Sequence, residues 1–142
     1  MSIEIFSGGW PDFSHEREAI LKIAKALTDH DEWFVLFVRL QIPQGDRPDF
    51  IVLKRHGIFI GDFKHAESPV HGSINGPWSI CDSNSGTIIG YLNEDREQNP
   101  YQQVDKYWRQ FRILLAARAE QVLPSEEAEK LRRINRPLRS AI

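Results

Sequence analysis

One cysteine, Cys81, stands alone in 142 residues. It can form no internal disulfide and build no Cys-rich zinc site, and a lone cysteine is most often an inert buried one. Long apolar runs are missing as well: the longest, Trp33 to Val38, falls far short of the ~20 residues that span a bilayer. The chain opens Met-Ser-Ile-Glu-Ile-Phe, without a basic segment and apolar stretch, so a cytoplasmic protein with no membrane association is expected. No Gly-Lys-Ser/Thr loop cradles phosphates, which places any nucleotide-driven motor outside these residues. The five histidines, His15, His30, His56, His65 and His71, lack the paired helical spacing of metalloproteases and read mostly as surface residues; only His65 lies beside the chemistry developed below. No nucleophile elbow accompanies the Ser, His and Asp residues, which disfavours a hydrolase triad.

What is present suits one folded domain: 41% apolar, 27% charged and 11% aromatic residues, with a net charge of −2. The charge is unevenly placed. Residues 1–98 carry 9 basic and 15 acidic side chains, whereas residues 99–142 carry 9 and 5. Solvated helix faces explain such asymmetry as readily as a polyanionic partner does.

Ser14 reads as an N-cap before a helix over 15–28, with Ile20, Ile23, Ala24 and Leu27 at helical spacing and Glu16 near the inward stripe. The aromatic and β-branched run Trp33–Ile42 predicts a strand ending at Pro43, followed by turn residues 44–48. Two apolar runs, 49–53 and 58–64, flank Lys54-Arg55-His56-Gly57 and predict a hairpin, with Gly57 left-handed. Residues 65–77 read as loop, with short pairing at Ser73-Ile74, and a second hairpin joins 78–81 to 87–91. Asn99-Pro100 opens a long helix to about Val122, with Val104, Tyr107, Trp108, Phe111, Leu114 and Leu115 as its stripe. Ser125-Glu126-Glu127 starts another helix, and the apolar segment beginning within Arg136–Ile142 suggests a domain cut from a longer polypeptide.

The first hairpin brings chemistry together. With Leu53 opposite Ile58, Asp49 falls directly opposite Asp62, with Cα atoms about 4.5–5.5 Å apart, and Lys64 follows on the same face. Opposed carboxylates repel, and an unpaired charge in an apolar strand is costly. Either Lys64 or a hard divalent cation must offset them. Mg²⁺ is typically held by one or two carboxylates, water and phosphate oxygens, and can activate water and take up charge on a phosphodiester. The plainer alternative is a solvent-facing hairpin end with a local Asp62–Lys64 ion pair.

Pro48-Asp49, twelve intervening residues, Asp62-Phe63-Lys64, a preceding helix with Glu16 and a following helix with Gln103 resemble the PD-(D/E)XK nuclease superfamily. Within it the pattern is most similar to the nuclease-related domain, NERD, through Gly57-Ile58-Phe59, Gly72, Trp78 and Asn99-Pro100-Tyr101-Gln102-Gln103. The resemblance covers roughly residues 14–120. It implies an α/β restriction-endonuclease-like fold, a central mixed sheet flanked by helices with an α-β-β-β-α-β core. It further implies that Asp49, Asp62 and the Phe63 carbonyl bind Mg²⁺ or Mn²⁺, with Glu16 as an outer ligand. Lys64 would be the catalytic lysine, and Gln103 and Tyr107 a Gln-x-x-x-Tyr pair at the substrate, core packing being the alternative for Tyr107. NERD domains usually carry Glu-x-Lys, where this chain has Asp62-Phe63-Lys64 preceded by Gly61.

The expected activity is metal-dependent hydrolysis of DNA by one domain spanning 1–142, joined to a helicase or other DNA-processing module. The alternatives are a non-catalytic nucleic-acid-binding or interaction module on the same fold, and an α/β scaffold without nucleic acid.

Overall fold

The computed structural model describes residues 3–43, 45–55, 57–92 and 99–134. Gln44 in the expected turn, His56 in the hairpin loop and the segment Arg136–Ile142 lie outside the described residues. The chain opens with β1 (Ile3–Ser7), a strand the sequence does not announce because four of its five residues are exposed and no buried alternation marks it. It runs parallel to β2 (Phe34–Val38), with Ile3 opposite Phe34 and Ser7 opposite Val38. Parallel neighbours need a crossover, and α1 (Ser14–Thr28) supplies it. The N-cap of α1 is Phe13 rather than Ser14, and no side chain caps the helix. The preceding loop is held instead by Arg17, whose Nε donates to the Pro11 carbonyl at 2.6 Å.

β2 is shorter than the apolar run that encodes it. Arg39 adopts a left-handed φ of 51° and ends the strand. Its guanidinium donates to the Trp10 carbonyl at 3.0 Å and to Asp12 Oδ2 at 3.2 Å, tying the turn to the loop before α1. Ile42 leaves the sheet and is buried beneath a later helix. Antiparallel β3 (Phe50–Lys54) and β4 (Gly57–Gly61) complete the sheet in the order β1-β2-β3-β4. Leu53 faces Ile58 as expected, but Lys54 also pairs with Gly57, so the ladder takes in both ends of the four-residue loop that the sequence suggests. Gly57 is an ordinary strand residue, not a left-handed one.

The period of two splits the hairpin between two cores. Phe50 and Val52 pack with Phe34, Leu36, Val38 and Ile20 under α1. Ile51, Leu53, Ile58 and Ile60 pack with Ile42 and Phe111 on the opposite face. A small second sheet follows: β5 (Val70–His71), β6 (Ser79–Cys81) and β7 (Ile88–Tyr91). The short pairing falls at Val70–His71, not at Ser73-Ile74. The β6–β7 turn is secured by Asp82 Oδ1, which accepts from the Asn84 and Ser85 N–H groups, and by Gly86 at φ 70°. Cys81 is buried.

α2 (Pro100–Val122) begins at the predicted Asn99 cap, where Asn99 Oδ1 accepts from the Gln102 N–H and Gln102 Oε1 accepts from the Asn99 N–H. α3 (Ser125–Ile134) follows. The architecture is thus α/β, a mixed four-stranded sheet and a three-stranded sheet flanked by helices. The expected run of helix, three strands and helix is α1-β2-β3-β4-α2 with the small sheet inserted before α2; β1 precedes it. Among the described residues no strand follows α2. Among them, too, no helix is long and apolar enough to cross a membrane.

Candidate active site

The ladder between β3 and β4 ends at the Phe50–Gly61 pair, so Asp62 and Lys64 lie just past the strand that sequence alone extends to Lys64. The reason is local. Pro48, opposite Phe63 in this register, has no N–H to give. That removes the rung to the Phe63 carbonyl, and the Phe63 N–H donates to the Asp49 side chain, whose Oδ2 accepts it at 2.6 Å. Asp49 and Asp62 therefore stay opposed, held by a side-chain-to-backbone bond rather than by strand pairing.

Gly61 is part of this arrangement. A Cβ there would overlap the ring of Phe50, its cross-strand partner. Phe50 in turn packs on Phe63 with ring centroids 5.2 Å apart. The glycine before Asp62 thus makes room for the aromatic pair that holds the Phe63 side chain on the α1 side, leaving its neighbours Asp62 and Lys64 to the other side.

The electrostatics are those of crowded carboxylates. The Asp49 carboxyl is pushed up from 3.8 to about 6, first by burial. The Phe63 N–H opposes the rise; the charge of Asp62, a side-chain hydrogen bond with Asp62 and the charge of Glu16 add to it. Asp62 is 9% exposed, and Lys64 Nζ lies 2.7 Å from its Oδ2. That contact is an ion pair without hydrogen-bond alignment: Oδ2 is buried and has no hydrogen-bond partner. The local ion pair between Asp62 and Lys64, the plainer of the two sequence alternatives, is present.

α2 brings its own pair. Gln103 Nε2 donates to the Tyr107 hydroxyl at 2.6 Å. Burial raises the Tyr107 phenol, the Gln103 bond lowers it, and the charges of Asp62, Asp46 and Asp49 raise it further. The Gln-x-x-x-Tyr pair therefore lies within electrostatic reach of the carboxylates. Tyr107 is also core, 6% exposed, so packing and proximity to the site coexist. Glu16 is brought to the same pole from the opposite layer by α1, near enough for its charge to act on Asp49. Among the described residues no three His, Cys, Asp or Glu side chains close on a point as a ready-made metal cage. The set available to a cation is Asp49 and Asp62, a donor number that suits Mg²⁺, which retains water and phosphate oxygens.

Three residues carry more than their sequence context signals. His65 is not alone near the carboxylates: His15, adjacent to Glu16, packs against it with centroids 4.7 Å apart. Asp46, which reads as a turn residue, accepts from Gln110 Nε2 at 2.5 Å and pairs with Lys106 at 3.0 Å, pinning the loop before Asp49 to α2. Asn99, 1% exposed, also donates through Nδ2 to the carbonyls of Ile74 and Gly76 at 2.9 and 2.8 Å. That loop contains Gly72, where a Cβ would overlap the Trp78 indole, and Trp78 Nε1 donates to the Ser73 carbonyl at 2.7 Å. Gly72, Trp78 and Asn99 are thus one structural joint at the root of α2, and no contact in it involves a site carboxylate. A separate cavity of about 560 Å³ opens on the α1 side, lined by residues such as Leu27, Phe34 and Phe59, and includes none of the carboxylates at this pole.

The basic surplus of the second half is partly engaged: Lys106 pairs with Asp46, Arg109 with Asp105 and Lys130 with Glu126. Comparison with curated proteins and with solved structures gives no significant match. The family model of the nuclease-related domain, however, matches residues 14–135, a span that takes in Glu16, the Asp49–Asp62–Lys64 pole and the Gln103–Tyr107 pair. The chain belongs to the nuclease-related domain family, NERD.

Proposed function

We propose that this domain hydrolyses phosphodiester bonds of DNA with the help of Mg²⁺ or Mn²⁺. The observation that carries the proposal is the convergence of Asp49 and Asp62 at the end of the hairpin, one carboxyl raised to about 6 and the other buried against the Lys64 ammonium. This donor set fits a hard divalent cation: two carboxylates whose mutual repulsion a positive ion relieves, with the Phe63 carbonyl as the further ligand. When bound, such an ion supplies activation of water and neutralisation of charge on the phosphodiester.

The chain's own residues do the rest. Asp49 and Asp62 hold the ion, and Glu16 adds negative charge from α1 at one remove. Lys64, 2.7 Å from Asp62 Oδ2, is the ammonium that steadies charge developing on the phosphate. Gln103 occupies the Tyr107 oxygen as a donor, leaving the phenolic hydrogen to point elsewhere. Because that phenol is raised, Tyr107 stays a proton-bearing donor at neutral pH and can orient a phosphate oxygen. Basic residues beyond Asn99 would add salt-sensitive phosphate contacts. On this reading the domain serves a DNA-processing protein of the cytoplasm, in one polypeptide with a helicase or similar module.

The Lys64–Asp62 ion pair favours one other reading, a binding module in which the lysine has replaced the cation. Incubation of circular and linear DNA with Mg²⁺ or Mn²⁺ decides between them, with Asp62→Ala and Lys64→Ala alongside. Cleavage by the parent that both variants lose supports the enzyme. Cleavage shared by all three is contamination and removes the catalytic assignment. A divalent-cation titration followed by melting adds a direct readout: saturable stabilisation marks a site, and ionic-strength effects alone mark the binding module.

A further inference from the structure

Beside the carboxylate pole stand three exposed rings, the last of which, His65, also has its Nε2 3.8 Å from Glu67 Oε1. Phe13 and His15 lie with centroids 5.6 Å apart and planes 18° from parallel, and His15 and His65 with centroids 4.7 Å apart. Phe13 is 61% exposed and the His65 side chain 58%. Isolated exposed apolar side chains are common, but here an exposed phenylalanine continues into two exposed imidazoles in ring contact. Its foot is fixed: the Phe13 carbonyl accepts from the Arg17 N–H at 3.2 Å, and Arg17 and Arg39 clamp the Trp10–Asp12 loop. The upper ring, His65, directly follows Lys64, and the middle ring, His15, directly precedes Glu16. Consecutive Cα atoms are about 3.8 Å apart, so the column is rooted beside Lys64 and Glu16 in the chain, on the α1 side of the pole, where Glu16 also lies.

We infer that the Phe13–His15–His65 column is a stacking platform for an unpaired nucleobase next to the scissile phosphate, and that the substrate is single-stranded or frayed DNA rather than duplex interior. The inference rests on the nuclease reading for the phosphate, but the platform itself is a matter of base binding. Aromatic rings, histidine included, stack on bases splayed from single strands. In a duplex both faces of each interior base are already covered, so a ring column at the surface recognises an unpaired nucleotide and not the duplex interior.

Fluorescence anisotropy of the full chain in EDTA tests this without catalysis. The probes are a labelled short single strand, its blunt duplex, and the strand with abasic positions. His65→Ala and His15→Ala are expected to weaken single-strand binding about 5- to 100-fold and to leave duplex binding unchanged. His65→Phe, which keeps a π face, should bind like the parent, and the abasic strand should bind the parent as poorly as the intact strand binds His65→Ala. Unchanged single-strand affinity in His65→Ala, equal loss on strand and duplex, or a loss in His65→Phe as large as in the alanine variant would each overturn the platform. Should the binding pattern hold while Mg²⁺ and Mn²⁺ yield no cleavage, the platform stands and the nuclease reading falls.

Discussion

Replacing Asp49 by asparagine should strengthen the fold while disabling the site. The carboxamide keeps an oxygen for the Phe63 N–H, the partner now 2.6 Å from Oδ2, and presents Asp62 with a donor instead of a like charge. In the parent the carboxyl lies at about 6 instead of 3.8, so the folded protein holds that proton more tightly than the unfolded chain does. The stability it brings is complete below about pH 4 and is lost as pH rises through about 6. At full value such a shift corresponds to about 3 kcal/mol, and solvent screening of a partly buried side chain reduces the expectation to about 1–2 kcal/mol. For a chain of this size that is a gain of about 3–6 °C in Tm for Asp49→Asn at pH ~8, vanishing near pH ~4. Circular-dichroism melts across this range in EDTA read the difference directly. Adding Mn²⁺ should reverse the order, stabilising the parent with saturation and leaving the variant where it was. Parallel pH profiles for parent and variant, or a variant less stable than the parent at high pH, would refute the crowding of carboxylates on which the site is built.

Asn99→Ala should cost about 2–4 kcal/mol in urea unfolding, from the lost helix cap and two carbonyls left without a donor. Asn99→Asp should fare little better, although aspartate is a good cap, because its carboxylate would face the Ile74 and Gly76 carbonyls; parent-like stability would show those contacts to be dispensable. Gly61→Ala should cost about 1–3 kcal/mol by forcing the Phe50 ring aside, and Phe50→Leu should recover part of it, so simple additivity of the two changes would count against the overlap. Asp46 is held below the ordinary 3.8, chiefly by Lys106, with burial opposing and Gln110 assisting. Its stabilisation is present above the unfolded pKa of 3.8 and is lost as pH falls through the lower folded value. Acid-dependent melts of Lys106→Met should show a flatter loss below about pH 4 than the parent, and superimposable curves would mean that the pair does not form in solution.

The hairpin register and the span of α2 were legible because their signals are local: a short polar loop between apolar runs, and an Asn-Pro start before a helical stripe. The same register puts Asp49 opposite Asp62. Where β4 stops was not legible, because it depends on the Phe63 N–H bonding the Asp49 side chain rather than a backbone carbonyl. β2 read too long for a related reason, since a left-handed Arg39 leaves no mark in an apolar run that continues to Ile42. The edge strand β1 buries too little to show a pattern. Asp46 and Asn99 form contacts with residues 64 and 25 positions away, a separation that no spacing rule reaches.

The two tethers of α2 fall on either side of Tyr107. Asn99 fastens the helix root to the 74–76 backbone, and Asp46 grips Lys106 and Gln110 from the other flank. With its axis registered at both places, the phenol keeps its address whatever happens at the tip of the small sheet. The Asp82–Gly86 turn, closed by its own Asp82 bonds, is consequently the place to attach a fluorescent label or an inserted peptide.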